Sequence, residues 1–245
     1  MKPLVSRLRR MIIPDGSVQR VWFGPYRGLR FRAFTGLGLK FKIGYRDTEE
    51  VDICIKSIRP GHQVYDVGSN AGQYAMLFSR LVGGKGSVMA FEPDPEMARK
   101  LRENLSLNRI VNVEVVESAV GSRSGTAQFD STGGGTGHLS AAGSVAVSML
   151  TLDQLGRDPD FIKIDVEGHE SDVLEGARET IARKRPPLLI ELHNPEQDRE
   201  VGRILMDLNY SAYRLSGEAV KNMREGWPHP DGMWGTVRAV ASERR

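Results

Sequence analysis

Six ionisable side chains are bunched in two short stretches of this sequence. Asp165, Glu167, His169 and Glu170 follow an apolar run at residues 161–164, and Glu191 and His193 flank the end of a second apolar run at residues 188–192. An imidazole beside a carboxylate is the arrangement of a general base and the group that orients it, provided both come within hydrogen-bond reach of the proton being moved. The same donor types suit a divalent ion, for which Asp165, Glu191 and His193 are the candidate ligands. Asp165 carries most weight, because a charge placed directly after a buried run must find a partner or a ligand. Lys163, two residues back and so on the same face of a strand, is one such partner. Simpler roles compete: Glu170 as an acid favoured at a helix start, His169 as a capping or packing residue, and Asn194-Pro195 as a turn capped by His193.

Such a cluster needs a scaffold that brings two strand ends together. From residue 63 the chain alternates: a strand at 63–67, a helix at 72–81, a strand at 87–91, a helix at 95–107 and a strand at 113–116. The alternation resumes with a strand at 161–166, a helix at 170–183, a strand at 188–192 and a helix at 196–208, and strands at 210–215 and 233–240 close the chain. This rhythm calls for a mostly parallel sheet with helices on both faces. The helix at 95–107 is well marked, with Asp94 as N-cap, Pro95 at its first position, and Met97, Leu101 and Leu105 four apart. Residues 122–148 interrupt the pattern. They are rich in Gly, Ser, Thr and Ala, include His138, and look extended only at 126–129 and 145–147, which predicts a long functional or disordered loop.

In an open sheet of this type, ligands sit beyond the carboxyl ends of the strands. The stretch Asp66-Val67-Gly68-Ser69-Asn70-Ala71-Gly72 ends the first strand, with two glycines that let the backbone approach a ligand. It is not the dinucleotide fingerprint, since Asn70 stands where the middle glycine belongs, and it lacks the Lys-Ser/Thr of a phosphate-binding loop. Glu92 follows Gly68 by 24 positions at the end of the next strand, where a carboxylate can accept from both ribose hydroxyls. Together they predict a nucleoside-bearing cofactor.

These segments, with Glu117-Ser118-Ala119-Val120-Gly121, Lys163-Ile164-Asp165-Val166-Glu167-Gly168-His169-Glu170, Val173-Leu174-Glu175-Gly176-Ala177 and Glu191-Leu192-His193, resemble the class I S-adenosylmethionine-dependent methyltransferases, and more closely the FkbM-type family. The resemblance covers residues 64–194. It implies a Rossmann-like α/β fold with a seven-stranded sheet whose last strand is antiparallel, and methyl transfer to oxygen, often a hydroxyl of a sugar or polyketide. It further implies that Asp66 and Gly68 line the methionine end of the cofactor, that Glu92 holds the ribose and that Glu117, Ser118 and Ala119 flank the adenine. Ser69, Asn70, Gly72, Tyr74, Pro93 and Asp165 are the remaining cofactor contacts expected. Asp165, Glu167, His169, Glu191 and His193 then become the candidates for activating the acceptor hydroxyl, with or without a divalent metal.

Composition frames these expectations. The 245 residues, 40% hydrophobic and 27% charged, are enough for one sizeable core and exclude a disordered tail or a disulfide-stapled miniprotein. No twenty-residue apolar run predicts a membrane span, and the single cysteine, Cys54, fits a reducing, cytoplasmic location. The net charge of +3 conceals an asymmetry: residues 1–60 hold 13 Lys and Arg against 5 Asp and Glu, a balance of +8, and the remainder is −5. The front piece is expected to form an N-terminal cap of hairpins and a helix on a methyltransferase domain spanning 61–245. Its first twelve residues, with Arg7, Arg9 and Arg10 among apolar positions at helical spacing, suit a helix packed on the domain with a solvated arginine face, and are also compatible with peripheral membrane contact. Trp227, Trp234 and the Pro228-His229-Pro230 turn are candidates for stacking on an acceptor. The expected partner is a small-molecule or glycan acceptor, with a homo-oligomer also compatible. Methylation of nucleic acid, encouraged by the basic front, is disfavoured by the acidic body, and a cofactor-binding scaffold without chemistry by the intact carboxylates and histidines.

Overall fold

A computed structural model of the protein describes residues 14, 16–33, 39–44, 48–131, 137–140, 142–220, 223 and 235–242. The amphipathic stretch over residues 4–12, the glycines at 133–135 and the Trp227, Pro228-His229-Pro230 and Trp234 cluster lie outside the described residues. In chain order, strands β1 (Val18–Arg20) and β2 (Arg30–Arg32) pair antiparallel, followed by helices α1 (Leu39–Lys42) and α2 (Thr48–Ser57). The alternating body comprises β3 (Gln63–Val67), α3 (Gln73–Val82), β4 (Ser87–Phe91), α4 (Pro95–Leu107) and β5 (Val113–Val116). A second group contains β6 (Ala119–Val120), β7 (Gly125–Asp130), β8 (His138–Leu139) and β9 (Val145–Leu150). The body then resumes with β10 (Phe161–Ile164), α5 (Glu170–Glu175), α6 (Arg178–Lys184), β11 (Leu188–Glu191), α7 (Pro195–Asp207), β12 (Tyr210–Arg214) and β13 (Thr236–Ala241).

The main sheet has seven strands in the order β12-β13-β11-β10-β3-β4-β5. Strands β3, β4, β5, β10 and β11 run parallel, and β13 lies antiparallel between β11 and β12. The central strands are covered on both faces, so they are almost continuously buried: all four residues of β10 and four of five in β3 and β4. Strand order reverses between β3 and β10, and the crevice outside their carboxyl ends is where the fold presents a ligand site. No helix among the described residues is long and apolar enough to cross a membrane.

The front piece is built into this core. Tyr26, Phe31, Phe41, Val51 and Cys54 share one apolar cluster with Ala75, Phe78 and Phe161 of the body. The backbone of β2 is held by α4: Arg32 N donates to Asn104 Oδ1 at 2.8 Å and Arg30 N to Asn108 Oδ1 at 2.8 Å. Asn104 in turn donates from Nδ2 to the Ala71 carbonyl at 2.9 Å, so one buried amide links the front piece to the glycine loop.

Several elements differ from the sequence expectation. The segments at 126–129 and 145–147 are extended as expected, within β7 and β9, but in place of a loop they pair antiparallel over five residue pairs and join β6 and β8 in a four-stranded sheet, β6-β9-β7-β8. The strands are short and only partly buried, and partners such as Gly125 and Met149 are far apart in sequence, so the pairing leaves little mark on local composition. The helix expected over 170–183 is two helices, because the chain breaks at Gly176, where a Cβ would lie 2.0 Å from the Gly121 carbonyl oxygen. The strand expected over 161–166 ends at Ile164; Glu167 (φ 55°) and Gly168 (φ 102°) turn the chain sharply before α5. Of the hairpins expected in the front piece, the described residues show one, β1–β2, followed by α1 and α2.

Candidate active site

At the crevice, the β3 loop and the β10 loop touch. Gly68 has φ 83°, and a Cβ there would stand 1.7 Å from the Asp165 carbonyl oxygen. Only glycine permits that approach, so Gly68→Ala is expected to lower unfolding stability by about 3 kcal/mol or more, measurable by urea denaturation. A cavity of about 340 Å³ opens beside this contact.

One end of the cavity is walled by Ser69, Asn70, Glu92, Pro93, Ser118 and Ala119. Glu92 is only 6% exposed; its Oε2 accepts from Asn70 N at 2.7 Å and its Oε1 from Asp94 N at 2.8 Å. Burial pushes its carboxyl up to about 7. Each oxygen still has acceptor capacity for a ligand hydroxyl. Asp94 caps α4, its Oδ1 accepting from Glu96 N and Met97 N. Three of the expected contacts do not reach the wall. Glu117 turns outward to pair with Arg102 at 2.7 Å, Gly72 packs against Leu101, and Asp66 lies fully buried behind the surface. Among the described residues neither Asp66 carboxylate oxygen has a hydrogen-bond partner, and burial raises its pKa to about 6 despite Lys163, its neighbour in register on β10.

The other end holds the charges. Lys163, 2% exposed, donates to Asp165 Oδ2 at 2.9 Å and lies 4.5 Å from the Tyr74 ring centre. Burial opposes the charge on both, yet each holds the other ionised: Asp165 is kept below the usual carboxylate range and Lys163 above the usual amine range. Glu191, at the end of the neighbouring strand β11, is pushed up to about 7 by burial and by the Asp165 charge. Glu167 is raised as well, chiefly by burial.

His193 does not line the cavity directly. Its Nδ1 donates to Glu170 Oε1 at 2.8 Å, which leaves Nε2 pointing at Glu167 (3.4 Å), Asp165 (3.7 Å) and Glu191 (3.9 Å). Burial alone would lower its pKa, but the Glu170 hydrogen bond and the surrounding carboxylates hold it up to about 9. Glu170 therefore orients an imidazole as well as starting a helix, and Asn194, accepting from Glu196 N and Gln197 N, takes the capping role considered for His193. His169 has both ring nitrogens engaged by the protein, Nε2 with the Leu139 carbonyl at 3.0 Å and Nδ1 with Asp172 at 3.3 Å, and the Asp172 bond raises its pKa.

One wall residue had no signal of its own in the sequence. Glu50, on α2 of the front piece, reaches the cavity, accepting from the Tyr74 hydroxyl at 2.7 Å and from the Thr236 hydroxyl of β13. It reads in sequence as one more acid in the first turn of a helix.

A family model described as the methyltransferase FkbM domain matches residues 66–215. This chain belongs to the FkbM methyltransferase family. Among curated relatives, the hexuronic acid methyltransferase AglP of Haloferax volcanii is 28% identical over 85% of this chain and 79% of its own length. The 2-O-methyltransferase NoeI of Sinorhizobium fredii is 30% identical over 52% of this chain and 62% of its own. A solved S-adenosylmethionine-dependent O-methyltransferase from Thermotoga maritima shares the fold, with a TM-score of 0.51 at 15% identity over 94% of this chain and 79% of that one.

This FkbM protein is thus an S-adenosylmethionine-dependent methyltransferase, and its cavity fits that cofactor. The buried Glu92 carboxylate with spare acceptor capacity, the close-packed Gly68 turn and the apolar Met97–Ala119 wall together suit a nucleoside. The donor atoms of Asp165, Glu167 and His193 also lie within 4.8 Å of one another, a spacing a divalent ion could bridge.

Proposed function

We propose that this chain transfers the methyl group of S-adenosylmethionine to a hydroxyl of a sugar-class acceptor, and that Glu191 takes the hydroxyl proton. The observation that carries this is the Glu191 carboxyl at the cavity, held near neutrality beside the ionised Lys163–Asp165 pair. A base is most effective when its pKa lies close to the working pH. The sugar class is supported by the relatives, a hexuronic acid methyltransferase and a 2-O-methyltransferase.

Bound S-adenosylmethionine supplies an electrophilic methyl group, whose bond to sulfur breaks as the bond to the acceptor oxygen forms. In this account Glu92 accepts from the ribose hydroxyls, while Ser118 and Ala119 border the base. Asp165, kept ionised by Lys163, accepts from a neighbouring hydroxyl of the acceptor and so aligns the reacting hydroxyl, whose own proton faces Glu191, which is the positioning component of such a displacement. Glu191 removes the proton as the oxygen becomes cationic. His193, protonated and tied to Glu170, balances the charge of Asp165, Glu167 and Glu191.

The test is calorimetry with S-adenosylhomocysteine, followed by incubation with S-adenosylmethionine and a panel of hexoses and uronic acids with products weighed by mass spectrometry. Binding and a product 14 mass units heavier than the sugar are expected; binding with no methylated sugar would reject the acceptor class. The Asp165–Glu167–His193 cluster favours one second reading, in which a divalent ion acidifies the hydroxyl. Since Lys163 and His193 already supply positive charge, dialysis against EDTA is expected to leave kcat within about twofold. A loss restored by Mg²⁺ or Mn²⁺ would favour the metal.

A further inference from the structure

The second sheet reaches the cavity through Ala119 and Val120 of β6 and, on another side, through the β7–β8 hairpin. Phe129 on β7 and Leu139 on β8 are cross-strand partners, and both line the cavity. Strand β8 is the edge of its sheet and pairs with β7 through only two residue pairs, so its own ladder fixes it weakly. Two side-chain bonds from the methyltransferase body add to that. At one end, Ser131 Oγ donates to Asp94 Oδ2 at 2.6 Å, next to Glu92. At the other, His169 Nε2 donates to the Leu139 carbonyl at 3.0 Å, with Asp172 facing the opposite ring nitrogen.

The second bond ties an apolar side chain to the loop that bears the charges. His169 is two residues after Glu167, so its hydrogen bond holds the Leu139 backbone beside the Asp165–Glu167 turn. The cavity there has two kinds of surface, carboxylates from β10, β11 and α2 and apolar atoms from Leu139 and Phe129. A ring with hydroxyls on its edge and C–H groups on its face matches both surfaces, since carboxylates accept from hydroxyls and apolar side chains bury the C–H face.

We infer that His169 is a positioning residue for the acceptor: by holding β8 it sets Leu139 as the apolar wall against which a hydroxylated ring is packed. This rests on the proposed O-methylation of a sugar-class acceptor and adds to it the residues that choose the ring. The β7–β8 hairpin becomes the specificity element, and His169, itself at the cavity wall, acts through Leu139.

The experiment compares His169→Leu, which removes the donor, with His169→Gln, whose amide can still donate to the Leu139 carbonyl. For His169→Leu the acceptor KM is expected to rise about tenfold, with kcat and the S-adenosylhomocysteine Kd within about twofold of wild type, and His169→Gln is expected to recover most of the loss. Amide hydrogen exchange at residues 138–140 should accelerate in His169→Leu, with residues 161–164 unchanged. A hundredfold loss of kcat at unchanged KM would overturn the inference by making His169 a catalytic residue. A weakened S-adenosylhomocysteine Kd with normal acceptor KM would overturn it by assigning the hairpin to the cofactor. If His169→Leu fails to fold, Leu139→Ala provides the same KM and Kd comparison. Kinetics are read with whichever acceptor the wild-type enzyme methylates. A wild type that binds S-adenosylhomocysteine but methylates no sugar rejects the acceptor class, and the exchange comparison still decides whether His169 holds β8.

Discussion

Replacing Glu191 by Gln is expected to lower kcat by roughly 10²–10⁴-fold, the range a positioned general base contributes, while the S-adenosylhomocysteine Kd stays within about threefold. The amide keeps the size of the side chain and its place at the end of β11, so the cavity shape is retained. It also removes one negative charge beside Asp165, which relieves repulsion in the free protein and works against any loss of fold. Rapid-quench assays at saturating cofactor would separate this effect from binding. A variant with near-normal kcat would shift the proton-accepting role to Asp165 or Glu167. For contrast, Lys163→Met removes the cation that pairs with the half-buried Asp165 and neighbours the fully buried Asp66, and is expected to destabilise the protein as a whole, because both carboxylates lose their compensating charge.

The second large effect belongs to Glu92. Replacement by Gln is expected to weaken S-adenosylhomocysteine binding by roughly 10–100-fold, the equivalent of one hydrogen-bonded charge. The amide nitrogen of Gln cannot accept from Asn70 N or Asp94 N, so one loop amide also loses its partner. The pH dependence gives a distinct signature. Burial holds Glu92 up to about 7 in the free protein, whereas hydroxyl donors of a bound ribose favour the ionised form. Binding therefore releases a proton near neutrality, and affinity falls as pH drops through about 7; Glu92→Gln should lose this component. Titration calorimetry in buffers of different ionisation enthalpy would show the proton release directly. Turnover assayed with excess cofactor is expected to be far less sensitive to Glu92→Gln than to Glu191→Gln.

How much of this was legible in the sequence depends on how local the cause is. The bounds of β3, β4, α4 and β5 agree with the sequence expectation to the residue, because continuous apolar runs, an Asp N-cap and a Pro at the first helical position are written in adjacent residues. The pairing of Glu92 with the β3 loop followed from a fixed strand-to-strand spacing, and Lys163 with Asp165 from the two-residue period of a strand. Side-chain direction was less legible. Glu117 stands at a strand end as expected, yet Arg102 on α4 draws it away from the cavity. His193 and Glu170 are 23 residues apart, and their contact exists only because β10 and β11 are neighbours. Glu50 and the β7–β8 hairpin come from segments whose composition resembles a helix start and a flexible loop, and only packing against the body gives them a place at the site.

The front piece follows the same logic. Its charge balance sets it apart in sequence, but Tyr26, Phe31 and Phe41 are shared with the core of the body, and among the described residues its one group at the cavity is an acid, Glu50. Among the described residues of 1–60, no arginine or lysine lines the cavity.

Proton removal by a carboxylate poised near neutrality is visible in the pH profile of kcat/KM for the acceptor at saturating cofactor. Glu191 is active when ionised, so log kcat/KM should rise with unit slope below about 7 and level off above it, and this limb should vanish in Glu191→Gln. A wild-type profile flat from pH 5.5 to 8.5, or a limb near 7 that persists in Glu191→Gln, would contradict the account.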